Sequence, residues 1–295
     1  MINKKMEHLT EEVNQLLSET IPNSKLNTNL EESMRYSLEA GGKRIRPVLL
    51  LLTLEMLTDQ YKKGFSSALA LEMIHTYSLI HDDLPPMDND DYRRGKLTNH
   101  KVFGEWKAIL AGDALLTKAF DMIVNDDSLN DIAKVKLIKR LSFASGHLGM
   151  VGGQTLDMQS EGAETNIDLD TLEKIHNAKT GALLKFAVMA AVDIAEPENE
   201  VSNALESYSE HLGLMFQIKD DLLDIYGDEA KLGKAVGSDI ENDKSTYVSL
   251  LGQQGAEDKL KHHTDKAYKC LNQLPKQYNT DNLVYIIELF NNRES

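Results

Sequence analysis

Residues 69–91 read LALEMIHTYSLIHDDLPPMDNDD. Leu69, Met73, Tyr77, Ile80 and Leu84 step by four, four, three and four, which lines apolar side chains along one side of a helix. Prolines 85 and 86 cannot continue that helix, so Asp88 belongs to a loop and must reach back toward the helix end. Asp82, Asp83, Asp88, Asp90 and Asp91 crowd five carboxylates into ten positions. Carboxylates this close repel one another unless a cation neutralises them, and an oxygen-only donor set selects a hard ion such as Mg²⁺.

The same pattern recurs downstream. Leu205, Tyr208, Leu212, Met215, Phe216, Ile218 and Leu222 mark a second long amphipathic helix, and Asp220, Asp221 and Asp224 sit at its end. Asp220 and Asp224, at i and i+4, share a face to which Gln217 also belongs. A solvated acidic cap is the simpler reading of one such cluster. Two clusters at the C-terminal ends of apolar helices, where the helix dipole disfavours negative charge, point instead to metal binding. Mg²⁺ keeps waters and is commonly completed by substrate phosphates, so a diphosphate ligand is expected beside it. Short basic groups fit such a ligand: GGKRIRP at 41–47, with Pro47 placed to open a helix; RRGK at 93–96; and Lys234 and Lys244. Taken singly, each also reads as surface charge. The Gly-rich segment at 227–235 has the wrong spacing for a nucleotide-binding P-loop, and no strand pattern precedes it.

Beyond these motifs the chain is ordinary for a globular protein. Its 295 residues carry 32 Lys and Arg against 47 Asp and Glu, a net charge of −15, which argues against nucleic acid or an anionic membrane as partner. Six prolines leave long windows with helical spacing and no alternation, so an all-α fold in a single domain, 1–295, is expected. The one cysteine, Cys270, excludes an internal disulfide framework. With no signal-peptide pattern at the start, that suggests a cytoplasmic protein. The most apolar run, VLLLLTL at 48–54, is far short of the roughly 20 residues that span a bilayer, so no membrane anchor is expected. Segments 85–99, 160–170 and 227–244 read as loops.

In order along the chain, GGKRIRP (41–47), EMIHTYSLIHDDLPPMDNDDYRRGK (72–96), LAGDALLT (110–117), GGQTLDM (152–158), KTGAL (179–183), FQIKDDLLD (216–224) and LGKAVGSDIENDKSTY (232–247) resemble the short-chain trans-prenyl diphosphate synthase family, most closely its bacterial farnesyl type. Leu97 departs from the family, which commonly has proline there. The resemblance implies a helical bundle around a deep central cavity, usually as a homodimer, with the two aspartate motifs on opposing walls. It implies Mg²⁺, three ions per site, held by Asp82, Asp83, Asp88, Asp220 and Asp224, with Asp221 in support. Arg93, Lys179, Thr180, Gln217, Lys234 and Lys244 would then serve the allylic diphosphate, and Lys43, Arg46, His75 and Arg94 isopentenyl diphosphate. Lys179, Thr180 and Gln217 form the expected catalytic set, the last two offering oxygen dipoles to a carbocation; Thr180-Gly181 also reads as a helix bend.

Product length should depend on what closes the cavity beneath the metals. Tyr77, five residues before Asp82, lies about 7.5 Å deeper along the helix, and the small Ser78 lies almost on the aspartate's face. A ring at 77 stops growth near three isoprene units; the alternative is that Tyr77 is simply core. The expected reaction condenses isopentenyl diphosphate with dimethylallyl or geranyl diphosphate to farnesyl diphosphate. A geranylgeranyl diphosphate synthase and a non-catalytic regulatory subunit of a heteromeric synthase are the alternatives.

Overall fold

The computed structural model describes residues 2–23, 26, 29–160, 167–226 and 245–293. The chain divides into two compact units, Met1–Lys139 and Arg140–Ser295. In the first, α1 (Ile2–Glu19), α2 (Leu30–Leu38), α3 (Ile45–Leu57), a 3₁₀ turn (Tyr61–Gly64) and α4 (Phe65–Asp82) precede a small hairpin of β1 (Tyr92–Arg93) and β2 (Lys96–Leu97). Then come α5 (Asn99–Phe103), α6 (Glu105–Val124) and α7 (Asp131–Ser145), which runs on into the second unit. Helix α4 packs on α6 and α3, and α2 packs on α6. Along α4, Leu69, Met73, Tyr77 and Ile80 are buried, as their spacing predicts, and the helix ends just before the two prolines. Residues 48–54 of α3 are fully buried on all sides, which explains their unbroken hydropathy. Among the described residues no helix is long and apolar enough to cross a membrane.

The hairpin corrects the expectation of helix and loop alone. Tyr92 pairs with Leu97 and Arg93 with Lys96, leaving Arg94-Gly95 as a two-residue turn with φ of 54° and 75°. Such turns need positive φ at both central residues, and Gly95 meets that without strain. The Leu97 carbonyl accepts a 2.7 Å hydrogen bond from the Tyr36 hydroxyl of α2. Asn99, hydrogen-bonded to Ser33 and Ser37, fastens the hairpin's far end to α2.

The second unit contains α8 (Met150–Ser160), α9 (Leu169–His176), a π-helical turn (Asn177–Gly181), α10 (Ala182–Ala195), α11 (Asn199–Tyr226), α12 (Tyr247–Asn272, kinked at Gly252) and α13 (Asp281–Asn292). Helix α11 packs against α12, α10 and α13 and buries Leu205, Tyr208, Leu212, Met215, Ile218 and Leu222. Two glycines bring other helices onto the π turn. A Cβ on Gly153 of α8 would stand 2.2 Å from the Lys179 backbone nitrogen, and one on Gly213 of α11 would stand 3.0 Å from the Gly181 Cα.

Candidate active site

At the end of α4 the chain folds back on itself. The Asp88 N–H donates to the Asp82 carbonyl at 2.8 Å, and Met87 and Asn89 donate to the Leu84 carbonyl. Asn89 takes up a φ of 52° to complete the reversal. The two prolines, unable to donate or to continue the helix, thereby bring Asp88 beside the helix end that carries Asp82. Asp83 is engaged by the hairpin. Its carboxylate is buried and accepts a 2.6 Å hydrogen bond from Arg93 Nε. Burial pushes this carboxyl up and Arg93 pulls it back. Asp83 thus anchors Arg93, whose guanidinium also reaches Asp90 at 3.4 Å.

The first two basic motifs meet in the same unit. Arg94, at the hairpin tip, lies across the glycine pair and donates to the Gly41 carbonyl. Gly42 has a φ of 124°, which other residues rarely adopt, and a Cβ there would fall 2.6 Å from the Arg94 Cζ, so a side chain at 42 would strain the backbone and push this guanidinium aside. Arg46 Nη1 stands 3.4 Å from His75 Nε2. Burial first, then the fields of Arg46, Arg94, Arg93 and Arg44, keep the His75 imidazole well below its ordinary range and hence neutral. Lys43 is exposed. Arg46, His75 and Arg94, three of the expected site residues, therefore belong to one positively charged corner suited to an anion, and Lys43 is the chain neighbour of Gly42, against which Arg94 lies. Arg44 is not part of it. It sits in left-handed conformation, 3% exposed, donating to Glu72 at 2.5 Å, to Asn14 and to the Leu38 carbonyl.

Deeper on α4, Tyr77 is 5% exposed and stacks edge-on against His81. Burial, aided by Asp82, pushes its phenol up to about 12. The Ser78 hydroxyl donates to the His75 carbonyl.

In the second unit the π turn holds Lys179 and Thr180. π turns within helices are frequent at functional sites, and this one replaces the simple bend that Thr180-Gly181 also suggested. Lys179 Nζ is 2.6 Å from an Asp157 oxygen of α8, while Thr180 is buried. On α11, Asp220 is the more open of the acidic residues; Arg293 donates to it at 2.6 Å and lies over the Phe216 ring. Asp221 and Asp224 are 5% and 2% exposed, and Asp221 accepts the Tyr247 N–H at 2.7 Å. Gln217 Nε2 is 3.3 Å from His176 Nδ1. Burial, outweighing Asp157, lowers the His176 pKa to about 4.

Lys234 and Lys244 lie outside the described residues. Among the described residues no three His, Cys, Asp or Glu side chains form a ready-made metal cage. Asp82 with Asp88 is still a fitting donor set for Mg²⁺, which is often held by one or two carboxylates and finished by substrate phosphates. Sequence reasoning missed His176, Asp157 and Arg293. His176 stands three residues before Lys179 and was within reach of a local reading, whereas nothing in the sequence links Arg293 to Asp220 across 73 positions.

A profile of the Polyprenyl synthetase family matches residues 27–282. The chain is 52% identical over 263 residues to a farnesyl diphosphate synthase of Micrococcus luteus, covering 88% of this chain and 89% of that one. It is 52% identical over 244 residues to the farnesyl diphosphate synthase of Geobacillus stearothermophilus, covering 82% of each. Among solved structures it resembles an FPP/GFPP synthase from Zymomonas mobilis, with a TM-score of 0.86, 35% identity and 97% of each chain covered.

Proposed function

The chain belongs to the polyprenyl synthetase family, and from that premise we infer that it is a prenyltransferase condensing isopentenyl diphosphate with dimethylallyl and then geranyl diphosphate to give farnesyl diphosphate. The observation that carries the product assignment is 52% identity to a farnesyl diphosphate synthase over 88% of the chain. Both compact units act as one catalytic domain, since the matched family segment runs through the two of them.

Asp82 and Asp88, with Asp220 and Asp224, are the proposed ligands for Mg²⁺, three ions per site, on the allylic diphosphate. Bound there, Mg²⁺ would supply positive charge to the diphosphate leaving group; the allylic C–O bond breaks and its electron pair leaves with the phosphate oxygen. Asp83 acts through Arg93, holding the guanidinium toward the leaving group. Lys179, oriented by Asp157, adds a second cation to it. Thr180 and Gln217 turn neutral oxygen dipoles toward the carbocation, which steady it without capturing it. Isopentenyl diphosphate occupies the corner of Lys43, Arg46, His75 and Arg94. Its double bond forms the new C–C bond, and the proton then lost goes to the released diphosphate. His75, neutral among arginines, accepts from Arg46 and keeps that side chain aimed at the anion.

The protein acts in the cytoplasm as a homodimer. Helix α6 leaves Trp106, Ile109 and Leu110 exposed at 63, 42 and 47% on one face, an apolar surface that a second copy would cover. The decisive assay supplies isopentenyl and dimethylallyl diphosphates with Mg²⁺ and follows diphosphate release and product length. C15 product, abolished by EDTA and restored by excess Mg²⁺, is expected. C20 product would mark a geranylgeranyl diphosphate synthase, and no turnover would sink the enzymatic reading.

A further inference from the structure

His176 ends α9, immediately before the π turn, and is 9% exposed. Its ring lies nearly parallel to Tyr247, at 16° with centroids 5.6 Å apart, so the imidazole plane is set by packing. Its two nitrogens face different partners. Nε2 has no hydrogen-bond partner among the described residues, and the Asp221 carboxylate oxygen stands 3.9 Å from it. Nδ1 faces the side-chain amide of Gln217 at 3.3 Å.

These contacts favour one arrangement of the protons. A lone pair on Nε2 aimed at a buried carboxylate would be repelled by it, so the neutral ring carries its proton on Nε2 and leaves Nδ1 as an acceptor. The Asp221 oxygen is itself held in place by the Tyr247 N–H, so this preference is built into the fold. An Nδ1 acceptor demands an N–H from Gln217. The amide must then present its nitrogen to His176 and its carbonyl oxygen the other way. A flipped amide would set two lone pairs against each other in a buried contact.

We propose that His176 is a positioning residue that locks the Gln217 amide with its carbonyl oxygen, rather than its NH₂ group, turned toward the substrate. The inference rests on the proposed reaction, in which Gln217 offers that oxygen to the carbocation. Its consequence is electrostatic. An amide free to flip would present its positive end to a positive intermediate for part of the time, and ionisation would be slower although substrates bound as before.

The test uses His176→Asn, His176→Gln and Gln217→Ala in the full-length enzyme. The Asn oxygen superposes on Nδ1 and keeps the acceptor; Gln supplies a donor at the Nε2 position and no acceptor at Nδ1. His176→Asn is expected to keep kcat within about threefold of the parent, and His176→Gln to lose about tenfold or more, with both KM values within about twofold. In the Gln217→Ala background His176→Gln should cause no further loss, because there is no amide left to orient. Thermal melting identifies any variant that is merely unfolded, and the Asn variant with the double mutant then decides. Equal rates for His176→Asn and His176→Gln, or losses that multiply in the double mutant, overturn the proposal. If the parent chain itself makes no prenyl product, the reaction reading fails instead, a result distinct from a failure of His176 alone.

Discussion

Arg44 and Arg46 stand two residues apart in GGKRIRP and do opposite things. The left-handed backbone at Arg44 turns its guanidinium inward onto Glu72, while Arg46, one step into α3, reaches His75. Removing one partner of a buried ion pair strands the other charge at a cost of about 3–5 kcal/mol. Arg44→Met is therefore expected to lower the urea midpoint sharply, whereas Arg46→Ala leaves stability nearly intact and raises the isopentenyl diphosphate KM. Equal midpoints for the two variants would contradict this division. Tyr77 makes the same point about chemistry. It belongs to the apolar stripe and is core by burial, yet core position and chain-length control are compatible when the core is also the floor of a substrate channel. Tyr77→Ala should shift dephosphorylated products from C15 toward C20 and longer in chromatography, together with a stability loss of about 3–5 kcal/mol. An unchanged C15 product would leave Tyr77 as core only.

At the level of elements, the site depends on breaks in regular structure. The prolines that end α4 bring Asp88 back to Asp82, the Arg94-Gly95 turn lays a guanidinium over Gly42, and the π turn carries Lys179 and Thr180. Helix α8 can approach that turn only because residue 153 lacks a side chain, since an added Cβ would collide with backbone rather than with a movable side-chain tip. Gly153→Ala is accordingly expected to cut kcat by about a hundredfold, because a misplacement near 1 Å suffices for a loss of that size. The helical content in circular dichroism should stay close to the parent. Activity within a few-fold of the parent would show that the π turn tolerates displacement. The GGQTLDM motif was legible in the sequence, but the reason for its glycine was not, because the partner atom is 26 residues away.

For the whole molecule, buried neutral histidines tie stability to pH. His263 of α12 is 7% exposed, with its Nδ1 3.1 Å from that of His211 on α11. Burial first, then the neighbouring His211, His262 and Lys259, lower its pKa to about 4. The folded state thus binds fewer protons than the unfolded state between pH 6.5 and about 4. The resulting stability is complete above 6.5 and is lost as pH falls toward 4, at up to about 1.4 kcal/mol per pH unit for each such histidine. His263→Phe should flatten this acid limb in denaturant titrations at pH 7.0, 6.0 and 5.0. A slope identical to the parent's would place the proton uptake elsewhere.

Helical periodicity, proline placement and the two aspartate runs are local properties, so the all-α class, a helix end before Pro85 and the acidic candidates followed from the chain alone. The roles of the basic and catalytic candidates came from the resemblance of its motifs to a known family. Tertiary packing decided how those residues are used. It split Arg44 from Arg46, turned Asp83 to Arg93, joined Arg94 to Gly41 across 53 positions, and paired Gln217 with His176 across 41. The physical reason is that a charge's role depends on its burial and on the groups around it, and folding draws those groups from segments whose distance along the chain carries no record of their meeting.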